Sequence, residues 1–141
     1  MSTLQEIMTE DVVTAKPNDD LLTLAKEMER NDVGFLPILD DKFLGVVTDR
    51  DIVVKGLAKD SDYSNVEAQQ IMTEKVVTGY SNMEVEEASR LMQSHQISRL
   101  MVVDNDQLKG IVSLGDMAIT GKDRTEKAAE DALNKIKKPS H

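Results

Sequence analysis

The sequence has no cysteine and no tryptophan, and only two tyrosines and two phenylalanines among 141 residues. Without cysteine there is no disulfide, no thiolate nucleophile and no thiolate metal ligand, in keeping with a reducing compartment. With aromatic residues at 3 %, a core has to be assembled from Val, Ile, Leu and Met, and a flat ligand would be gripped mainly by aliphatic side chains. The two histidines, His95 and His141, are far apart and no close carboxylate set joins them, which argues against a transition-metal site. No apolar run approaches the ~18 residues of a membrane span, and the amino terminus lacks the apolar stretch of a signal peptide. The cytoplasm is the expected location, with no membrane contact. Cations are in deficit, 17 Lys and Arg against 26 Asp and Glu, for a formal charge of −9. Nonspecific nucleic-acid binding needs clustered cations that displace counterions, so nucleic acid is not an expected partner. An anionic small ligand stays admissible, because a local helix terminus can outweigh the global field.

What the sequence does contain is a repeat. IMTEDVVT at 7–14 returns as IMTEKVVT at 71–78, an offset of 64 residues. LPILD at 36–40 answers to LMVVD at 100–104, and GVVTDRD at 45–51 answers to GIVSLGD at 110–116 after a slip of one residue. The period is too long for a solenoid and there are only two copies, so a duplicated domain is the natural reading. The first repeat is taken as 1–60, the second as 61–121, and a charged tail as 122–141. A half of about 60 residues buries only ~60 % of its unfolded surface, so the two halves are expected to share a core. The tail carries a net charge of +2 between Lys122 and Lys138 and suggests a weak or frayed amphipathic helix.

Each copy has the same coarse layout. A short helix (about 3–9, and 66–73) leads into a short apolar strand (12–14, and 76–78). An amphipathic helix follows over 20–31, with Leu21, Leu24, Ala25 and Met28 on its apolar stripe. Its counterpart covers 83–95, with Val85, Ala88, Leu91 and Met92. Ser81 with Glu84, and Ser64 with Glu67, fit capping boxes, and Pro17-Asn18 marks the start of the first amphipathic helix. Two strands joined by a polar turn come next (35–39 with 43–48, and 100–103 with 108–112). A last short helix runs over 49–56 and 114–120. Its apolar residues Ile52, Val53, Leu57, Met117 and Ile119 offer an interface. The polar stretch 58–65 reads as a surface loop.

The chemistry-bearing pattern is Gly-x-x-Ser/Thr-x-x-Asp at a strand-to-helix junction: Gly45, Thr48 and Asp51, then Gly110, Ser113 and Asp116. Backbone N–H groups at a helix start favour an anion, a hydroxyl can donate to phosphate or sugar, and an acceptor-only Asp suits a ribose diol. Ser/Thr-x-x-Asp is equally a helix-capping box. The local pattern fits both readings, and duplication copies caps as readily as sites. His95 near a helix end is accounted for by the helix dipole, and the eight methionines read as core filler. Ser113 has no histidine beside it and does not sit in a Gly-x-Ser-x-Gly elbow, so nothing calls for catalysis.

The IMT segments, the amphipathic helices, the paired strands and the two Gly-x-x-Ser/Thr-x-x-Asp junctions together resemble a tandem pair of CBS domains (a Bateman module). This is the kind found as stand-alone bacterial and archaeal chains, and the resemblance spans about 3–120. It implies an α/β (α+β) fold of two βαββα halves related by a pseudo-twofold axis and packed through their sheets, with further pairing into a homodimer. It also implies AMP, ADP, ATP or another adenosyl ligand in clefts between the halves, and no catalytic cofactor, metal or enzymatic activity. Carried over by position, one pocket takes Ser113 and Asp116 for phosphate and ribose, Arg99 near the phosphates, and Thr9, Val13 and Val33 around the base. The other takes Thr48 and Asp51, with Thr73, Val77 and Ile97. Arg99 can meet a phosphate with two parallel hydrogen bonds. Its counterpart Phe35 cannot, so the Arg99 pocket is the better phosphate binder unless Arg50 or Lys55 compensates. The function implied is a nucleotide sensor acting on a separate, unidentified effector protein. The alternative is a dimerisation or scaffold module without a nucleotide, and nucleotide hydrolysis is a third reading.

Overall fold

The computed structural model of the protein describes residues 2–59 and 62–120, with side chains through Met117. The expected tail helix lies outside the described residues. The chain is a mixed α+β protein. Its elements are α1 (Leu4–Ile7), α2 (Leu21–Asn31), β1 (Phe35–Leu39), β2 (Phe43–Thr48), α3 (Asp49–Asp51), α4 (Ala68–Ile71), β3 (Thr78–Gly79), α5 (Val85–His95), β4 (Arg99–Asp104), β5 (Gln107–Ser113) and α6 (Leu114–Thr120). A π-helical turn (Ile52–Leu57) extends α3, and a 3-10 turn (Tyr63–Asn65) precedes α4.

The chain divides into two compact units, Val13–Val76 and a second made of Met1–Val12 with Val77 onward. These units are offset from the sequence repeats, because each repeat's leading helix folds into the other repeat's unit. In the first unit, β1 and β2 form an antiparallel pair, Phe35 opposite Thr48, with a register slip after Ile38. Ala15 adds a parallel bridge to Ile38. From the second repeat come Ala68, whose N–H donates to Asp19 O at 2.8 Å, and Thr73, which exchanges hydrogen bonds with Val46 at 2.9 and 3.0 Å. Leu24, Leu36, Ile38, Val47, Ala68 and Ile71 are buried together in its core.

In the second unit, β3 runs parallel to β4 and β4 antiparallel to β5, with Arg99 opposite Ser113. Asn105 and Asp106 both take positive φ, 50° and 66°, as a two-residue hairpin loop twisted to match its strands requires. From the first repeat come Leu4, whose N–H donates to Met83 O, and Thr9, which exchanges hydrogen bonds of 2.9 Å with Ile111. Leu4, Met92, Leu100, Val102, Val112 and Met117 are buried together. The expected single shared core is therefore two cores, each pooling side chains from both repeats. The exchange answers the same physical need, since a half of about 60 residues buries only ~60 % of its unfolded surface and is marginal by itself.

Several local expectations are corrected. No strand forms at 12–14, and the second short strand shrinks to Thr78–Gly79. The chain passes between units at 12–13 and 76–77, so those residues are connectors rather than ladder members. Ala25 is exposed, whereas its counterpart Ser89 is buried and donates to Met117 Sδ at 3.4 Å. The place of Met117 is taken in the first repeat by Ile52, which is β-branched and shorter. Ser81 does not cap α5. Its N–H donates to Asp104 Oδ1 at 3.0 Å and its hydroxyl to Asp104 Oδ2, leaving Glu84 as an N-cap residue without a side-chain bond. Ser64 donates to Asp62, and Glu67 itself caps α4 in a box with Gln70. The start of α2 is set by Asp20, which accepts from Thr23 N–H at 2.8 Å. The helix expected over 49–56 is α-helical only at Asp49–Asp51 before it widens. Of the residues offered as an interface, Ile52 and Met117 are core members, while Val53 and Leu57 are exposed at 56 % and 47 %, as is the neighbouring Val54 at 39 %. The side chain of Ile119 lies outside the described residues.

Candidate functional site

The two Gly-x-x-Ser/Thr-x-x-Asp junctions fold in the same way. Thr48 ends β2 and is the N-cap of α3. Its N–H donates to Asp51 Oδ2 at 2.9 Å, and its hydroxyl oxygen accepts from Asp51 N–H at 3.1 Å. Ser113 ends β5 and repeats the box with Asp116 at 3.0 and 3.1 Å. Both junctions are thus formed capping boxes. The box does not consume the groups: each hydroxyl accepts one bond and still has its proton to donate, and a carboxylate offers about four lone pairs. Capping instead fixes hydroxyl and carboxylate side by side at the end of a strand, the arrangement a sugar or phosphate would need.

The glycines have a role that sequence reasoning missed. A Cβ on Gly45 would fall 2.4 Å from the backbone oxygen of Thr73, and one on Gly110 would fall 2.7 Å from that of Thr9. Neither glycine has a positive φ, so the requirement is for room. The exchanged segment lies directly on the strand, which places Thr73 opposite Val46, two residues before Thr48, and Thr9 opposite Ile111, two residues before Ser113. The signal was present as a threonine after each IM and a glycine three residues before each Ser/Thr, but nothing in the sequence says that they meet.

Each unit therefore gathers the polar members of a candidate site. The unit made of Met1–Val12 with Val77 onward holds Thr9, Ser113 and Asp116, with Arg99 in register opposite Ser113. The Val13–Val76 unit holds Thr48, Asp51 and Thr73, with Phe35 in register opposite Thr48. The apolar members belong to the other unit in each case. Half-buried Val13 and Val33 pack on the core of the Val13–Val76 unit, and half-buried Val77 and Ile97 on that of the other. Val33 and Ile97 each follow a left-handed helix C-cap, Asp32 and Gln96, and donate to Met28 O and Met92 O at 3.0 Å.

The charges differ between repeats. Arg99 is exposed at the start of β4, whereas Asp51 is buried. Lys55 reaches back to it, with Nζ 3.1 Å from Asp51 Oδ1 and 3.4 Å from Ile71 O. Arg50 is exposed. His95 ends α5 with Nδ1 3.0 Å from Leu91 O, which gives it a local partner at the helix terminus. An open cavity of about 490 Å³ in the Val13–Val76 unit is lined by Thr14, Lys16, Asp19, Thr23, Glu27 and Asp40, among others. None of the candidate residues lines it. Among the described residues no group of three or more His, Asp or Glu side chains is placed to hold a metal ion. No described helix is long and apolar enough to cross a membrane.

Comparison with known proteins agrees with this fold. The chain is 37 % identical over 137 residues to the CBS domain-containing protein YhcV of Bacillus subtilis, covering 96 % of both chains. The crystal structure of Hypoxic Response Protein I with two coordinated zinc ions superposes with a TM-score of 0.75 at 34 % identity, covering 84 % of this chain and 98 % of that one. The CBS domain pair of protein MJ0100, in complex with 5-methylthioadenosine and S-adenosyl-L-methionine, gives a TM-score of 0.69 at 28 % identity, covering 84 % of this chain and 94 % of that one. The CBS-domain sequence pattern matches residues 4–56 and again 68–119, and the chain belongs to the CBS-domain family, with two copies of the domain in tandem.

Proposed function

We propose that this protein is a cytoplasmic regulatory sensor that binds an adenine nucleotide or another adenosyl compound, works as a homodimer and acts on a separate effector protein without catalysing a reaction. The observation that carries this reading is the pair of preorganised hydroxyl–carboxylate junctions, Thr48–Asp51 and Ser113–Asp116, with Lys55 at Asp51 and Arg99 in register opposite Ser113. A related CBS domain pair in complex with two adenosyl compounds supports the ligand class. The ribose would donate to the aspartate, the phosphate or other anionic group would meet Ser113 and Arg99, and Thr9, Val13 and Val33 would enclose the base. The second pocket would use Thr48, Asp51, Thr73, Val77 and Ile97. A ligand shifts a conformational equilibrium only by its differential affinity for the two states, so the output would be a change in the relative arrangement of the units that the effector reads.

The purified protein is tested by thermal shift against AMP, ADP, ATP, 5-methylthioadenosine and S-adenosylmethionine. A ligand at ~100 times its Kd adds roughly 2.7 kcal/mol of stability. Asp116→Asn keeps a side-chain oxygen for the Ser113 N–H, and is expected to lower affinity at least tenfold without unfolding the protein. Unchanged affinity in the variant would refute the site. The exposed Val53, Val54 and Leu57 favour a second reading, a scaffold that pairs through this face. It predicts a ligand-independent dimer and no shift with any adenosyl compound.

A further inference from the structure

The two repeats do not carry their cation on the same element. Beside Ser113–Asp116 the cation is Arg99, on the strand residue in register with Ser113. The same position beside Thr48–Asp51 is Phe35, which brings no charge. One helical turn beyond the carboxylate the situation reverses. The first repeat has Lys55 four residues after Asp51, and the second has Thr120 four residues after Asp116.

We propose that Lys55 is the ligand-selecting cation of the Thr48–Asp51 site, replacing from the helix the charge that Arg99 supplies from the strand, and that it makes this site prefer adenosyl ligands bearing an anionic group. The inference rests on the adenosyl-ligand reading above. Three observations support it. Lys55 Nζ lies 3.1 Å from Asp51 Oδ1, so the ammonium is held at the carboxylate that would receive the ribose. It also donates to the carbonyl of Ile71 at 3.4 Å, two residues before Thr73, so it is oriented toward the same polar group of residues. An ammonium has three donors, and these two contacts leave one for a ligand. The side chain is 41 % exposed while that of Asp51 is 11 % exposed, which leaves the ammonium reachable from solvent. A lysine is a compact charge on a flexible stem, where an arginine is a rigid fork. The Lys55 site should therefore accept a single anionic group in varied positions, and the Arg99 site should discriminate more sharply by geometry.

The test uses the full chain carrying Asp116→Asn to silence the other site, with AMP and adenosine titrated by calorimetry. Lys55→Met is expected to weaken AMP at least tenfold and to change adenosine less than threefold, and Lys55→Arg to keep AMP within threefold. An equal loss of both ligands in Lys55→Met would make Lys55 a prop for Asp51 and overturn the proposal. So would an unchanged ratio, or the absence of AMP binding once Asp116 is replaced. Failure of the underlying reading looks different: Asp51→Asn and Asp116→Asn would then both leave binding untouched. If Asp51→Asn abolishes binding while Lys55→Met leaves the AMP-to-adenosine ratio unaltered, only the selectivity proposal falls.

Discussion

Replacing Gly45 with alanine adds one methyl group at a point where two backbones touch. Because Gly45 has no positive φ, alanine meets no conformational penalty there. It also stiffens the unfolded chain, a gain of about 0.4–1 kcal/mol. Against this, the new Cβ would lie 2.4 Å from Thr73 O, 3.2 Å from Thr73 C and 3.4 Å from Glu74 Cα. All three are backbone atoms, so no side-chain rotation relieves the clash. Restoring ordinary contact requires a shift of roughly 1 Å, which would break the two bonds between Val46 and Thr73, at 3.0 and 2.9 Å. Two lost hydrogen bonds at about 1 kcal/mol each, with overpacking of about 1–3 kcal/mol, outweigh the gain and leave a net loss of about 2–4 kcal/mol. Gly110→Ala should be milder. Its nearest backbone neighbour, Thr9 O, is at 2.7 Å, and the rest of the crowding comes from the Met8 thioether, which can swing aside. With a urea slope of about 2 kcal/mol/M, Gly45→Ala should lower the unfolding midpoint by about 1–2 M. Amide exchange at Thr73 should quicken more than at distant sites. A midpoint at or above that of the wild type, or a larger loss for Gly110→Ala than for Gly45→Ala, would refute the close-approach account of these glycines.

Other perturbations separate core from surface and cap from contact. Leu24→Ala removes a fully buried side chain and should cost about 2–5 kcal/mol, while Leu22→Ala, at a 63 % exposed position, should stay within about 0.5 kcal/mol in the same urea titration. Ser89→Ala gives up only a weak hydroxyl-to-sulfur bond at 3.4 Å, so its midpoint should move by less than the equivalent of about 1 kcal/mol. Acid should destabilise the fold through particular carboxyls. The Ser81 hydroxyl and then its N–H hold Asp104 below its ordinary range; the Thr23 N–H and then its hydroxyl do so for Asp20, and those of Thr3 for Glu6. Because these folded-state values are depressed, their stabilisation is present above the ordinary carboxylate range and is lost as pH falls through that range toward the folded values. Ser81→Ala should flatten the acid limb of a stability-against-pH curve, and an unchanged limb would count against this assignment.

Much of the architecture could be read from patterning alone, and the reasons are local. The short continuous apolar runs FLPIL and LMVV, each followed by a polar turn, place β1–β2 and β4–β5 because hairpin partners are neighbours in sequence. Leu21, Leu24 and Met28 place α2 for a similar reason. The exchange of leading helices was illegible because the two IMTE segments are nearly identical, and identical segments cannot state which copy they pack against. Ser81 and Ser64 were misread because a capping motif competes with any acceptor brought near by the fold, Asp104 in one case and Asp62 in the other. At the candidate site, the hydroxyl–carboxylate pairs were legible but their purpose was not, since a cap and a ribose contact call for the same residues. The direction of Lys55 depended on a helix that widens after Asp51, which no spacing rule anticipates.

The crossed assignment of helices to units also sets an order of events during synthesis. Leu4 belongs to a core whose other members include Leu100, Val112 and Met117. At about 5–20 residues per second on the ribosome, α1 waits about 5–20 s for them, an apolar turn emerging long before its own destination exists. The Val13–Val76 unit faces a shorter delay: its core runs from Ala15 to Ile71 in one continuous segment, which takes about 3–11 s at the same rate. The nascent protein thus has a natural sequence of assembly, the inner segment closing first while the amino-terminal turn is held in reserve to complete the unit made last.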